Sequence, residues 1–276
     1  MVSFVLVTAI TYIVLSLASN VGFAAFGSSF SPRIATGGVL ALSLLFGPAA
    51  AWGAPLGYLG VDVARGTLGF ASVYGAIGYF LLAYLGYSLW GNLGRLSSGS
   101  EPTMRSRRQI AEYLVIALVS VSALVAVSSW GYAVLGVLPY FVAVADSFAD
   151  FLFPVLVIGP LVLYFLYPRF EANDLVYRGV SRSETSMWRV YTVSFVLVSW
   201  LLLGVVIGIA RQTYQQLPYQ TFVRRDLEYV VTLSETALGP AGARIQIALG
   251  SVSFATLLLI LIYRGGFNSA DRTAND

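Results

Sequence analysis

Residues 34–63 read IATGGVLALSLLFGPAAAWGAPLGYLGVDV, an apolar run broken at Gly47-Pro48. A helix needs about 20 apolar residues, roughly 17–25, to cross a bilayer. The run is too long for one crossing and short for two. A Pro directly after Gly marks a tight break, so the stretch predicts two short helices, 34–47 and 49–63, forming a hairpin shielded by its neighbours. A re-entrant hairpin is the alternative, and either form returns the chain to the side it came from.

Outward from this break the same pattern recurs. Val2 to Gly22, Phe70 to Leu93, Ile110 to Leu138, Phe151 to Tyr167, Val190 to Ala210 and Ile245 to Tyr263 are each apolar over about the length of a span. The 110–138 run is long enough to tilt. The N-terminal run has no basic segment before it, so it is read as a span and not as a signal peptide. The expected fold is all-α: a polytopic transmembrane helix bundle of about eight spans. It divides into a six-helix membrane core at 1–168 and a two-helix membrane extension at 169–276, with an outside loop at 213–243. In that loop Phe222, Val223, Leu227, Val230 and Val231 recur at near-helical spacing. The pattern fits an interfacial helix lying on the membrane and equally a solvated lid helix packed on the bundle.

Composition points the same way. Of 276 residues, 58% are hydrophobic and 11% charged, where soluble domains have about 45–50% and 25%. Lipid can take up apolar surface that a soluble core of this size could not hide. No basic cluster sits on a soluble face, so no nucleic-acid partner is expected. The sequence has no Cys, no His and no Lys; all 16 basic residues are Arg. That removes disulfides and thiolates, the commonest metal ligand and general base, a retinal Schiff base and His-ligated haem. No Gly-rich phosphate loop joins a strand to a helix. Neither an enzyme, a cofactor nor a metal site is expected.

Cytoplasmic loops are enriched in Arg and Lys. With the N-terminus inside, the inner side holds Arg95, Arg105, Arg107, Arg108, Arg169, Arg178, Arg182, Arg189, Arg264 and Arg272. The outer side holds Arg33, Arg65, Arg211, Arg224, Arg225 and Arg244. Ten against six places both termini in the cytoplasm and the chain in the cell membrane. Glu112, near the inner end of its span, is expected to pair with a loop Arg.

Two patterns bear on contacts. Gly53 and Gly57, and again Gly204 and Gly208, have the GxxxG spacing that lets helix backbones approach in lipid; such faces serve internal packing or a membrane partner subunit. The second pattern is polar. Ionisable groups in or beside spans cost about 2.5–3.5 kcal/mol at a helix centre, so their positions are informative. Asn20, Arg33, Asp62, Arg65, Tyr74, Trp130, Tyr132, Tyr140, Asp146 and Asp150 all fall toward the outer end of their spans. Asp62 and Arg65 are i,i+3 neighbours able to pair. Aromatic walls with a few oriented polar groups make a small-molecule site, so these ten are the candidate substrate-binding residues. Arg33 and Arg65 suit an anionic group, and Asp62, Asp146 and Asp150 a cationic or hydrogen-bonding one.

The segment PRIATGGVLALSLLFGPAAAWGAPLGYLGVDVARG (Pro32 to Gly66), with its Phe46-Gly47-Pro48 break and acidic Asp62, and the later WGYAVLGVLPYF (Trp130 to Phe141) resemble the substrate-capture S components of energy-coupling-factor vitamin transporters. The resemblance covers residues 1–168. It implies a six-helix bundle with its N-terminus inside and solute capture from outside, by a pocket including Arg33, Tyr74, Trp130, Tyr132 and Asp150. Two features depart from that family. Ala9 is followed by Ile13, so the first-helix docking motif is absent, and the last hundred or so residues have no counterpart. The same Phe-Gly-Pro break is similar to that of membrane-associated sensor domains. The expected function is binding and transport of a small solute, vitamin-like or heterocyclic, with a partner. The alternative is a sensor or structural subunit of a larger membrane complex.

Overall fold

The computed structural model describes residues 1–25, 33–177, 187–214 and 245–260. Its helices are α1 (Val2–Ala25), α2 (Ile34–Phe46), α3 (Pro48–Arg65), α4 (Phe70–Leu89), α5 (Arg107–Val134), α6 (Tyr140–Ala172), α7 (Met187–Tyr214) and α8 (Ile245–Ile260). A 3-10 turn at Gly94–Leu96 interrupts the link from α4 to α5. Every regular element among the described residues is helical. Most of the 213–243 loop lies outside them.

Four helices, α1, α4, α5 and α6, are long and apolar enough to cross a membrane. Their outward faces are apolar too. Leu6, Ile10, Val14 and Leu17 of α1 are exposed, as are Phe153, Val157, Leu161 and Phe165 of α6 and Leu202 and Val206 of α7. Their spacing of three or four residues lays each set along one helix face. Soluble monomers rarely expose contiguous apolar patches beyond a few hundred Å²; stripes like these are compatible with membrane insertion.

Neither half of the expected 34–63 hairpin is among the four. With 13 residues at about 1.5 Å rise each, α2 is roughly 20 Å long, short of a 30 Å hydrocarbon core. It is instead the buried centre of the bundle: Ala35 through Phe46 are all buried, as befits a helix apolar all round. It packs mainly on α6, then on α1 and α4, and least on α3. The two helices therefore diverge from the break and do not lie side by side. Glycines set the close approaches. A Cβ on Gly37 would collide with the Pro154 backbone of α6, and one on Gly86 of α4 with Ser43.

The break turns on Gly47, with φ 55° and ψ −125°, a conformation that Gly alone adopts readily. Its N–H still donates to Ser43 O at 2.9 Å, and Pro48, which has no N–H to satisfy, begins α3. After α6 the chain doubles back beneath this corner. Tyr177 N–H donates to Leu45 O at 2.7 Å, and its ring lies on Gly47 where a side chain would otherwise stand.

Along α3, Gly53 and Gly57 receive α1. A Cβ on Gly53 would stand 2.6 Å from Val5 O and Thr8 Cβ, and one on Gly57 2.8 Å from Ala9 O and Tyr12 Cβ. This GxxxG seam is filled from within the chain.

The α4–α5 link is fastened by buried polar side chains. Ser106 and Gln109 form a reciprocal capping box at the start of α5. Among the described residues Glu112 is not paired with a loop Arg; its two carboxylate oxygens accept Gly91 N–H at 2.8 Å and Ser98 N–H at 2.7 Å. The Trp90 indole donates to Ser100 O at 2.9 Å. A buried carboxylate needs donors from every side, and folded loop backbone supplies them at closer range than a flexible Arg.

α6 starts at Tyr140, a good ten residues before the expected Phe151, and runs on through Pro154, Pro160 and Pro168. Asp146 and Asp150 thus belong to the helix and not to a preceding loop.

Candidate functional site

Five helices bring one polar group into an aromatic ring. Arg33 occupies the N-cap position of α2. Its backbone N–H donates to Asp150 O at 3.0 Å, tying the start of α2 to α6. Its guanidinium lies over the Phe151 ring, 5.0 Å from the centroid, a cation–π geometry. Four phenols act on it electrostatically: Tyr79 of α4, Tyr12 of α1, Tyr132 of α5 and Tyr58 of α3.

These rings also pack on one another. Tyr12 meets Tyr79 edge-on at 4.9 Å, Tyr58 stacks on Tyr79 at 5.1 Å and 30°, and Tyr79 meets Phe151 edge-on at 6.3 Å. Such offset and T-shaped pairs are favourable beyond their area. Tyr79 OH lies 3.1 Å from Thr36 Oγ1 in the first turn of α2. Small residues make the room: the Tyr58 ring occupies the space a side chain on Gly75 would fill. Tyr12, Tyr79 and Phe151 are buried, Tyr58 and Tyr132 half-buried, and Arg33 exposed. The arrangement is a floor of buried rings with an accessible cation at its mouth.

Of the ten residues expected in a pocket, the structure gathers Arg33, Tyr132 and the backbone of Asp150 here. Asp62 is nearby, half-buried one turn after Tyr58, and its charge acts on that phenol. Arg65 turns away: it donates to Ser16 Oγ of α1 at 3.4 Å, and among the described residues no ion pair joins it to Asp62. Asp146 is exposed on α6. The side chain of Asn20 lies outside the described residues.

Trp130, Tyr74 and Tyr140 sit elsewhere. Tyr74 packs edge-on against Trp130 at 5.5 Å, and Trp130 packs on Trp200 of α7 and Phe254 of α8 at 5.6 and 5.3 Å. The Trp130 ring fills the space over Gly250, and the Tyr140 ring that over Gly204. Gln246 Nε2 donates to Gly204 O at 3.3 Å. These residues seal the seam between the core and α7–α8, where Tyr140 of α6 fills the space at Gly204 as α1 fills that at Gly57. The side chain environment of Gly208 lies outside the described residues. Within the seam the Trp130 indole N–H, the Tyr140 hydroxyl and Gln246 Oε1 are buried without hydrogen-bond partners among the described residues.

Sequence reasoning missed Tyr12, Tyr58, Tyr79, Thr36 and Phe151. Each lies within an apolar run, where a Tyr or Thr reads as part of the span. The available signal was a phenol in the interior of three separate spans, since a Tyr in an apolar setting needs a partner for its hydroxyl. No group of three or more His, Cys, Asp or Glu able to hold a metal ion occurs among the described residues. Chemically the arrangement sets one guanidinium and several phenolic hydroxyls beside aromatic ring faces and edges. No protein family, no characterised protein and no solved structure significantly matches this chain.

Proposed function

We propose that this chain is a multi-pass protein of the cell membrane that binds a small solute from the outside and transports it with a partner subunit. The proposed architecture is about eight spans, a six-span core and a two-span extension, with both termini cytoplasmic. One observation carries the proposal: an exposed Arg33 stands over Phe151 within a ring of Tyr12, Tyr58, Tyr79 and Tyr132. A cation exposed at one edge and walled by rings from five helices is costly to build for packing alone, because each Tyr hydroxyl must be satisfied away from water. It suits a vitamin-like or heterocyclic solute, stacked by the rings and oriented by the guanidinium. The resemblance of residues 1–168 to energy-coupling-factor S components agrees with capture from outside. With Gly53, Gly57 and Gly204 filled from within the chain, a partner would dock on the exposed apolar stripes of α1 or α6.

A second reading, a sensor or structural subunit, draws on the α4–α5 link. Two buried side chains, Gln109 and Glu112, hold its backbone through several hydrogen bonds, which gives a rigid surface for a neighbouring protein. One experiment separates the two. The protein is purified in mild detergent, its co-purifying small molecules are identified by mass spectrometry, and its thermal unfolding is followed against a vitamin panel. A bound solute or a stabilising one supports transport. Neither, in a protein that unfolds cooperatively, sinks it. A reporter fused to the C-terminus tests orientation, and an outside C-terminus would break the span count.

A further inference from the structure

We infer that the link between α4 and α5 is a seat for the headgroups of anionic phospholipids. The inference rests on the membrane reading above and is independent of any solute. Residues 90–112 carry four arginines, Arg95, Arg105, Arg107 and Arg108, the last three within four residues. All four are exposed. Their backbone is held from beneath. Gln109 Oε1 accepts the N–H groups of Arg105 and Ser106 at 2.8 and 2.9 Å, and Gln109 Nε2 donates to Glu101 O at 2.6 Å. Glu112 and Trp90 fix the other half of the loop. Met104, next to Arg105, is buried with φ 56°, a left-handed conformation that persists only where the surroundings determine it. A loop so fastened needs little further ordering when its cations meet a partner.

The setting selects a lipid over a soluble anion. Arg107 is the first residue of α5, and Ile110, Leu114 and Leu118 follow it at helical spacing, all exposed. These four share one helix face, apolar along its length and cationic at its end, which is the profile of an acyl chain and its phosphate. Leu96, exposed in the 3-10 turn, directly follows Arg95 and repeats the pairing. The acids gather toward α6. Glu101 and Glu171 both act on the Tyr167 phenol near its end, and Asp174 follows just beyond. Even with Glu101 set against one arginine of the link, three remain. A guanidinium meets a phosphate through two parallel hydrogen bonds, and a cluster of arginines beside a span is drawn to an anionic leaflet.

The test offers the purified full chain equal amounts of phosphatidylglycerol and phosphatidylcholine with identical acyl chains in mixed micelles. Retained lipids are counted by native mass spectrometry. The expected result is phosphatidylglycerol held roughly five- to twenty-five-fold over phosphatidylcholine, the contribution of one or two arginines at a charged surface. Replacing all four arginines by Gln should erase the preference, and replacing them by Lys should keep it. If the fourfold Gln variant does not fold, Arg107→Gln carries the test, with an expected drop of roughly fivefold. Arg65→Gln removes a charge at the far end of α4 and should change nothing. Equal retention of the two lipids, or a preference that survives the Gln substitutions, would overturn the inference. So would an equal loss in Arg65→Gln, which would reduce the effect to net charge. Displacement of the phosphatidylglycerol by a soluble poly-glutamate peptide would overturn it too, in favour of an acidic protein partner. A chain that stays dispersed without detergent and retains neither lipid would remove the membrane reading itself.

Discussion

Replacing Gly47 by Ala tests the corner from which α2 and α3 diverge. Two independent costs meet there. The backbone has φ 55° and ψ −125°, a region that costs a non-Gly residue on the order of 1–3 kcal/mol. The new methyl would also stand 2.7–2.8 Å from Tyr177 ring carbons, with Cδ1 closer still, and overpacking of that kind costs about 1–3 kcal/mol. Gly47→Ala should therefore destabilise the protein by roughly 2–6 kcal/mol. The parts separate in a double-mutant cycle with Tyr177→Ala, because removing the ring relieves the collision and leaves the backbone strain. Tyr177 is 41% exposed, so its own truncation should cost less than a core deletion. On the Tyr177→Ala background, Gly47→Ala should cost only the backbone share, and the coupling should be about 1–3 kcal/mol. The assay is reversible unfolding in mixed micelles with increasing SDS, followed by circular dichroism. A coupling below about 0.5 kcal/mol, the noise of such cycles, would refute the Tyr177 contact. No cost on the truncated background would refute the strained corner.

Three further substitutions follow from the same geometry. Glu112→Ala strands the Gly91 and Ser98 N–H groups and should cost roughly 2–5 kcal/mol, with Glu112→Gln milder; limited proteolysis should then nick the 90–100 segment, and an unchanged digestion pattern would count against the carboxylate as its fastener. Trp130→Ala empties the seam against Trp200 and Phe254 and should lower stability by about 3–5 kcal/mol while solute affinity holds; lost affinity in a still-folded variant would move Trp130 into the site. Tyr140→Phe deletes a buried hydroxyl that has no partner among the described residues, so it should be neutral or stabilising by up to about 1–3 kcal/mol; a clear loss of stability would show that the hydroxyl is bonded.

Helix positions were legible because apolar runs of this length have few alternatives. α1, α4 and α5 fall within a few residues of their expected bounds. α6 was placed too far along the chain because Asp146 and Asp150 read as water-facing loop, whereas charges near a helix end cost little when they stay solvated. The hairpin at 34–63 was half legible: Gly47-Pro48 announced the break, but spacing cannot say that α2 finds α6 a larger partner than α3. The site divides in the same way. Arg33 and Tyr132 stood out as polar groups at span ends. Tyr12, Tyr58 and Tyr79 did not, because a phenol inside an apolar run shows its role only when another helix brings a second phenol to it. Trp130 and Tyr140 looked equally suitable for a pocket until α7 and α8 were seen to cover them, a fact that local spacing does not encode.

The contact of Tyr177 with Leu45 and Gly47 also orders events in time. A chain emerges from the ribosome N-terminus first, so α2 exists long before α6 or the strand of chain that doubles back beneath it. Until they are made, the α6-facing side of α2 has nothing to bury against, and the Leu45 carbonyl has no Tyr177 N–H to accept. The most enclosed helix of the bundle thus cannot settle when it is born. Completion runs backwards along the chain, with a late-made residue locking an early-made corner, and contacts so distant in sequence close slowly. During biosynthesis α2 is the segment with most need of shelter, and release of residue 177 from the ribosome marks the earliest moment at which the core can close.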